Sequence, residues 1–240
     1  MIASRGAGFA RIRSKMRMHT APEKFQFRQA IPEDRDRIMK FLLTHFVKDE
    51  PCNRALKISA STLETIISGT LERSLKDPFS TIVTVPEKDD ELAGCIMNSV
   101  WNRSDPMDDA DFGMGEFPEN VRLFVNLLNG MHSNFWNLAP KTVNSVIHRE
   151  IASVAPLYTR RGISTRLLVE GLDKKLLQKY QIGGVVSEAT SLSNQTLEKK
   201  HGFRSLLAKP YSEVVDSKGN KVLQLDDGTT HLLLNFKKIE

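Results

Sequence analysis

Apolar and polar residues alternate in "KFQFRQA", with Phe25 and Phe27 set against Gln26 and Arg28, the period of a half-buried strand. The next apolar positions, Ile38, Phe41, Leu42 and His45, recur at helical spacing, and Pro32 suits a first helical turn because its missing N–H is not needed there. The spacing predicts a helix over about 32–48, ended at Pro51 in "DEPCNRAL", and a second over about 61–75 with Leu63, Ile66, Ile67 and Leu71 as its stripe. "FSTIVTV" and "ELAGCIMNSVW" read as strands of an antiparallel hairpin joined by the charged turn "PEKDD". An acidic, turn-rich stretch, "NRSDPMDDADFGMGEFPEN", then precedes a helix around 121–136.

In the second half "NSVIHREIASVA" is a strand, "PLYTRRG" a turn, and "ISTRLLVEGLDKKLLQKY" one long helix in which Leu168, Leu172 and Leu176 recur every four residues. "GGVVSEA" is a strand and "SLSNQTLEKKHGF" a short helix closed by Gly202. A strand, helix, strand order predicts parallel pairing across the long helix, and a terminal antiparallel portion follows, from "FRSLLAKPYSEVV" to "TTHLLLNFKKI". The fold class is therefore mixed α/β, a central twisted sheet of about six or seven strands flanked by helices.

Length and charge narrow the function. A chain of 240 residues hides roughly 70–75% of its unfolded surface around one core, which assigns 21–240 to a single domain. The net charge of +5 is accounted for by Arg5, Arg11, Arg13, Lys15 and Arg17, so the remainder is balanced and a nucleic-acid partner is not expected. Residues 1–20 form a basic, acid-free leader, disordered or a transit peptide; a cytoplasmic location is expected, or a mitochondrial one if the leader is a transit peptide. No apolar run approaches the ~20 residues of a membrane span, so no membrane partner is expected. Cys52 and Cys95 are too few for a disulfide framework and fit a reducing compartment. His45, His132, His148, His201 and His231 are dispersed along the chain without metal-site spacing, and no metal is expected. The acidic stretch is either a solvated surface or a field that draws cationic ligands. Nothing fixes the oligomeric state, with a monomer slightly favoured.

The turn ahead of the long helix carries the most chemistry. A strand running into a helix start offers several backbone N–H groups with no helical acceptor, and Arg160, Arg161 and Gly162 stand there. The pattern suits a phosphate or pyrophosphate, or alternatively a plain solvated helix cap. It is neither the G-x-x-x-x-G-K-[ST] of a triphosphate loop nor a three-glycine dinucleotide fingerprint.

Taken together, "REIASVAPLYTRRGISTRLL", "EATSLSNQTLEKKHGF" and "FVKDEPCNRAL" resemble the GNAT superfamily of acyl-CoA-dependent N-acyltransferases, and within it the invertebrate arylalkylamine group, which includes dopamine N-acetyltransferases. The resemblance implies acetyl-CoA as co-substrate and the primary amine of a small molecule as acceptor. It puts the coenzyme A pyrophosphate on Thr159, Arg160, Arg161, Gly162, Ile163 and Ser164, the pantetheine arm on Ile151, Ala152, Ser153 and Val154, and Asn194 among the cofactor contacts. Thr159 stands where Arg or Gln is usual, Ser164 where Gly or Ala is usual, Cys52 where the insect motif has leucine, and Glu198 where many relatives carry a tyrosine that protonates the departing sulfur.

An alkylamine is mostly protonated near neutral pH, so acyl transfer needs a base. By resemblance that base is Glu50, whose bland alternative is helix-end solvation; Glu150, on the strand before the turn, is the second candidate. Ser191 and Ser193 either orient a water and share a proton or simply cap their helix. The Val154 N–H is the expected donor to the tetrahedral oxyanion. Neither cysteine has a histidine partner in sequence, which implies direct transfer. The acceptor pocket is expected between the first two helices and the hairpin, with Phe41, Phe46 and Trp101 available to face an aromatic amine or to fill the core. Polyamine or protein-lysine acetylation, and a non-catalytic acyl-CoA-binding module, stand as alternatives.

Overall fold

The computed structural model describes residues 24–105 and 117–239. The leader and residues 106–116 of the acidic stretch lie outside them.

Seven strands form one sheet in the order β1-β2-β3-β4-β5-β7-β6. They are β1 (Gln26–Gln29), β2 (Thr81–Val85), β3 (Glu91–Asn102), β4 (Ser145–Val154), β5 (Ile182–Ala189), β6 (Arg204–Pro210) and β7 (His231–Lys238). All neighbouring pairs are antiparallel except β4 and β5, which run parallel as the strand, helix, strand order requires. Alternation along β4 splits its side chains between two cores: Val146 joins the larger one, and Ile147 joins Phe79, Leu177, Ile182, Val185 and Phe203 on the other. The central strands are thus covered on both faces, and each fully buried Ile or Leu contributes about 1.5–3 kcal/mol.

Eight helices, counted without the single 3-10 turns, flank the sheet among the described residues: α1 (Arg35–Thr44), α2 (Phe46–Asp49), α3 (Pro51–Leu56), α4 (Ala60–Ser74), α5 (Glu119–Leu138), α6 (Ile163–Leu167), α7 (Lys174–Lys179) and α8 (Leu192–Lys200). None of these is long and apolar enough to cross a membrane. Two expectations are corrected here. The first predicted helix breaks at His45, and Pro51 opens α3 rather than ending a helix. Proline fits N1, Glu50 caps that turn through Asn53, and Lys57 closes it with a left-handed φ of 52°.

The second correction concerns the predicted long helix, which is two short ones. Leu168 ends α6, Gly171 turns the chain with φ +79°, and Asp173 starts α7 by accepting from the N–H groups of Lys175 and Leu176. The leucine period persists through the break. As a consequence, the turn at Arg160 is backed by five helical residues rather than four or more turns, so its pull on an anion comes from local N–H groups and the two arginines more than from a long dipole.

Candidate active site

Pairing between β4 and β5 runs from Ser145 opposite Ile182 to Arg149 opposite Ser187 and stops there. Beyond it Ile151, Ala152, Ser153 and Val154 remain paired with β3 on one side and have no strand partner on the other. Glu150 sits in a register shift of the β3–β4 ladder, between the pairs Met97–Ile151 and Asn98–Arg149. Such a bulge re-aims side chains where a ladder ends. The free edge opens into a cavity of about 910 Å³.

That cavity gathers most of the residues singled out in the sequence. Glu50, Glu150, Ile151, Ala152, Ser153, Val154, Thr159, Ser164, Ser191, Ser193 and Asn194 all line it. Arg160, Arg161, Gly162 and Ile163 do not; Ile163 is buried, and the other three are exposed on the turn just outside. Gly162 has φ +80° and Arg160 φ +62°, and the first helical bond is made by Arg166 to the Gly162 carbonyl. The N–H groups between Gly162 and Arg166 therefore have no intrahelical acceptor. A Cβ on Gly162 would meet no atom within 4 Å, so the turn is open in front of its backbone. Arg161 stacks over the Phe25 and Tyr158 rings.

The expected acceptor wall is only partly as anticipated. Phe46 lines the cavity, whereas Phe41 is core and Trp101 stacks on His148. α4 and α5 supply Leu63, Ile66, Ile67, Phe124, Val125 and Leu128 to the apolar lining, and of the hairpin only Ile96 reaches it.

The two candidate carboxylates sit in opposite environments. Glu50 Oε2 accepts the Asn53 N–H at 2.7 Å, while Oε1 is buried and has no hydrogen-bond partner. Burial pushes the Glu50 carboxyl above the usual range, with the Asn53 N–H offsetting this in part. Glu150 accepts from Arg73 at 2.7 and 3.0 Å and from Ser99 at 2.7 Å, and lies 3.2 Å from His148 Nδ1. Burial alone would raise its pKa, but the His148 and Arg73 cations outweigh it and hold the carboxyl far below normal.

Ser191 caps α8 through the Asn194 N–H at 3.4 Å and lies 3.3 Å from Ser193, so its structural role is present alongside any chemical one. Cys52 is buried with its thiol 3.6 Å from the Tyr211 hydroxyl, and burial, reinforced by Glu50, pushes the thiol well above its normal range. Burial carries Cys95 up to about 12. Both are poor nucleophiles. Glu198 is fully buried and accepts from Asn235 at 2.8 Å, and burial raises its carboxyl above the usual range.

Sequence reasoning missed a polar cluster at the point where β4 and β5 part. His148 is stacked on Trp101 at 3.7 Å and contacts Glu188 Oε2 through Nε2 at 2.5 Å, while His132 Nε2 on α5 lies 3.3 Å from Glu188 Oε1. Burial would lower the His148 pKa, yet Glu188 and Glu150 outweigh it and raise it to about 9. Two of the histidines dispersed in the chain, His132 and His148, are therefore neighbours in space. The signal available was that His148 and Glu150 share one face of a strand. Arg149, on the opposite face, is buried over the Phe203 ring and donates to the Leu168 carbonyl.

No protein-family model matches the chain, and no curated protein matches it in sequence. Solved structures do. Arylalkylamine N-acetyltransferase 2 from Aedes aegypti superposes with a TM-score of 0.75 at 20% identity, over 90% of this chain and 99% of that one. Mosquito arylalkylamine N-acetyltransferase like 5b gives 0.73 at 15%, over 90% and 100%. The polyamine N-acetyltransferase of Drosophila melanogaster, which catalyses formation of N-acetylagmatine, gives 0.71 at 14%, over 90% and 100%. At these identities the likeness is one of architecture, and the seven-stranded mixed sheet with its flanking helices is the GNAT acyltransferase fold.

Proposed function

We propose that this chain is an acetyl-CoA-dependent N-acetyltransferase that moves the acetyl group directly to the primary amine of a small molecule, with an arylalkylamine as the favoured acceptor. The observation that carries the reading is the unpartnered, buried Oε1 of Glu50 in the same cavity as the unpaired edge of β4.

In this mechanism the pantetheine amides add to the free edge at Ile151, Ala152, Ser153 and Val154, as an extended ligand extends a sheet. The diphosphate rests on the N–H groups of Gly162, Ile163 and Ser164, with Arg160 and Arg161 supplying charge and Thr159 and Asn194 bordering the arm. Glu50 takes the proton from the ammonium, directly or through water. Its raised pKa suits it to that task, because a base titrating nearer the working pH remains an effective acceptor. Glu150 is the poorer base, since its charge is already spent on Arg73, Ser99 and His148. The amine attacks the thioester carbonyl, the Val154 N–H donates to the oxyanion, and the C–S bond breaks. The coenzyme A thiolate has a pKa near ~8.5, so it leaves without a dedicated strong acid, and Ser191 or Ser193 can relay to it the second proton that the attacking nitrogen loses on becoming an amide.

A polyamine or agmatine-like acceptor is the second reading, favoured by Asp49 and Asp227 at the cavity wall, where a second cationic group would be met. A chain that acts as a monomer in the cytoplasm is consistent with both. Turnover of dopamine, tryptamine, spermidine and a lysine peptide with acetyl-CoA is the test. Preference for the aromatic amines supports the first reading, and preference for spermidine the second. Acetyl-CoA binding with no turnover of any amine would leave only a non-catalytic acyl-CoA-binding module.

A further inference from the structure

We propose that His132, His148 and Glu188 form a binding site for one divalent transition-metal ion of the zinc type, in the wall of the cavity. Three separate elements, α5, β4 and β5, bring one ligand atom each to within 4.8 Å of the others. All three residues line the cavity.

Two imidazole nitrogens and one carboxylate are the donor set of open zinc sites, which keep a fourth position for water or a ligand, and all three residues here line the cavity from which one would come. Oxygen-seeking ions such as Mg²⁺ and Ca²⁺ are poorly served by two imidazoles. The second layer is also built. Glu150 Oε1 lies 3.2 Å from Nδ1 of His148, the ring atom left over when Nε2 faces the ion, and is itself held by Arg73 and Ser99. A carboxylate behind a ligand histidine fixes the ring and makes its other nitrogen a better donor. Trp101 stacks on His148 at an interplanar angle of 27° and meets His132 edge-on at 75°, so both rings are held by packing. Of the ligand groups, Glu188 keeps one oxygen, Oε1, buried without a well-formed hydrogen bond. An ion bound here would replace the direct contact between His148 Nε2 and Glu188 Oε2, since a ligand nitrogen cannot also carry a proton.

The proposal is independent of the acyltransfer reading, since uptake is measured without acetyl-CoA or acceptor. The untagged full chain, stripped with chelator and dialysed, is titrated with Zn²⁺ by calorimetry and with Co²⁺ by visible absorption. One equivalent of Zn²⁺ should bind and raise the melting temperature, and Co²⁺ should give the intense visible bands of a four-coordinate site. His132→Ala, at the least buried of the three ligands, should weaken uptake at least tenfold, and Glu150→Gln should weaken it about tenfold. His45→Ala should change nothing. Absence of saturable uptake by the unmodified chain, or equal affinity in His132→Ala and Glu188→Gln, overturns the proposal. The cobalt spectrum is read on the unmodified chain, so a variant that fails to fold does not leave the question open.

Discussion

Glu50 and Asn53 are joined by a hydrogen bond, 2.7 Å from the Asn53 N–H to Oε2, and the other oxygen, Oε1, is buried without a well-formed bond, with the Thr190 hydroxyl and the Cys52 N–H as the other polar groups beside the carboxylate. The residue serves its helix with one oxygen, and in the proposed mechanism the other takes the proton. Glu50→Gln keeps an oxygen for the cap but cannot take a proton. Its kcat/KM should fall about 100-fold or more at neutral pH, with acetyl-CoA affinity near normal, and the deficit should shrink at high pH where more amine is already neutral. The acid limb of the wild-type rate profile should lie above the ordinary glutamate range, because burial raises this group. Unchanged turnover of Glu50→Gln at pH 7 removes Glu50 from the mechanism.

Gly162 has φ +80° with open space before it, and two substitutions separate strain from charge. Gly162→Ala pays only the left-handed backbone cost, of order 1–2 kcal/mol, and should leave coenzyme A binding within a few-fold. Gly162→Glu adds a carboxylate where the diphosphate is proposed to rest, and calorimetry should show affinity falling by more than tenfold beyond the alanine variant. Equal affinities in the two variants contradict the phosphate assignment.

Much of the fold was legible because its signals are local. Phe25 and Phe27 alternate, the stripe of Leu63, Ile67 and Leu71 repeats, and Gly202 closes α8 with φ +85°. The break between α6 and α7 was not read, although "EGLD" contains both a residue suited to a left-handed turn and an N-cap. Leu168, Leu172 and Leu176 recur every four residues in the sequence and look continuous to a period count, although Leu168 lines the cavity while Leu172 and Leu176 pack on the smaller core. The site divides in the same way. Glu50 and the edge 151–154 were reached through short motifs that resemble known enzymes. The His148–Glu188 contact joins residues 40 positions apart, and only the parallel register, with His148 opposite Val186, brings Glu188 onto the same face. Nothing local encodes that register.

Arg28 grips Asp34 with two bonds of 2.6 Å, and Asp34 Oδ2 also accepts the Ile31 N–H at 3.0 Å, tying β1 to the start of α1. The Arg28 bond holds the Asp34 carboxyl below its usual range. Arg28 is 37% exposed, so solvent screening limits the contribution, and Asp34→Asn should cost about 1 kcal/mol in urea unfolding at pH 7. A depressed carboxylate stabilises the fold above its unfolded pKa of ~3.9 and ceases to do so as pH falls through its folded value. The difference between wild type and Asp34→Asn should therefore close in acid. A difference that persists at pH 2 would assign the effect to packing rather than to charge.

Gly94 on β3 lies opposite Val154, and a Cβ there would fall 2.9 Å from the Ser153 carbonyl oxygen and 3.3 Å from Val154 Cγ2. The first of these is backbone, so the strand itself must move. Gly94→Ala should destabilise the protein by about 1–3 kcal/mol, the range for overpacking a close-packed core. Because the strand that moves is the one whose other edge is proposed to hold the pantetheine arm, the acetyl-CoA KM should rise several-fold while the acceptor KM changes little. Gly184→Ala is the matched control: its Cβ would fall 2.3 Å from Phe236 Cε2 and 2.9 Å from the Lys237 carbonyl oxygen, on the β5–β7 side. It should lose stability to a similar degree without that selective effect. If the two variants raise the acetyl-CoA KM equally, the change reflects general loosening of the sheet and the free edge of β4 has no special claim on the cofactor.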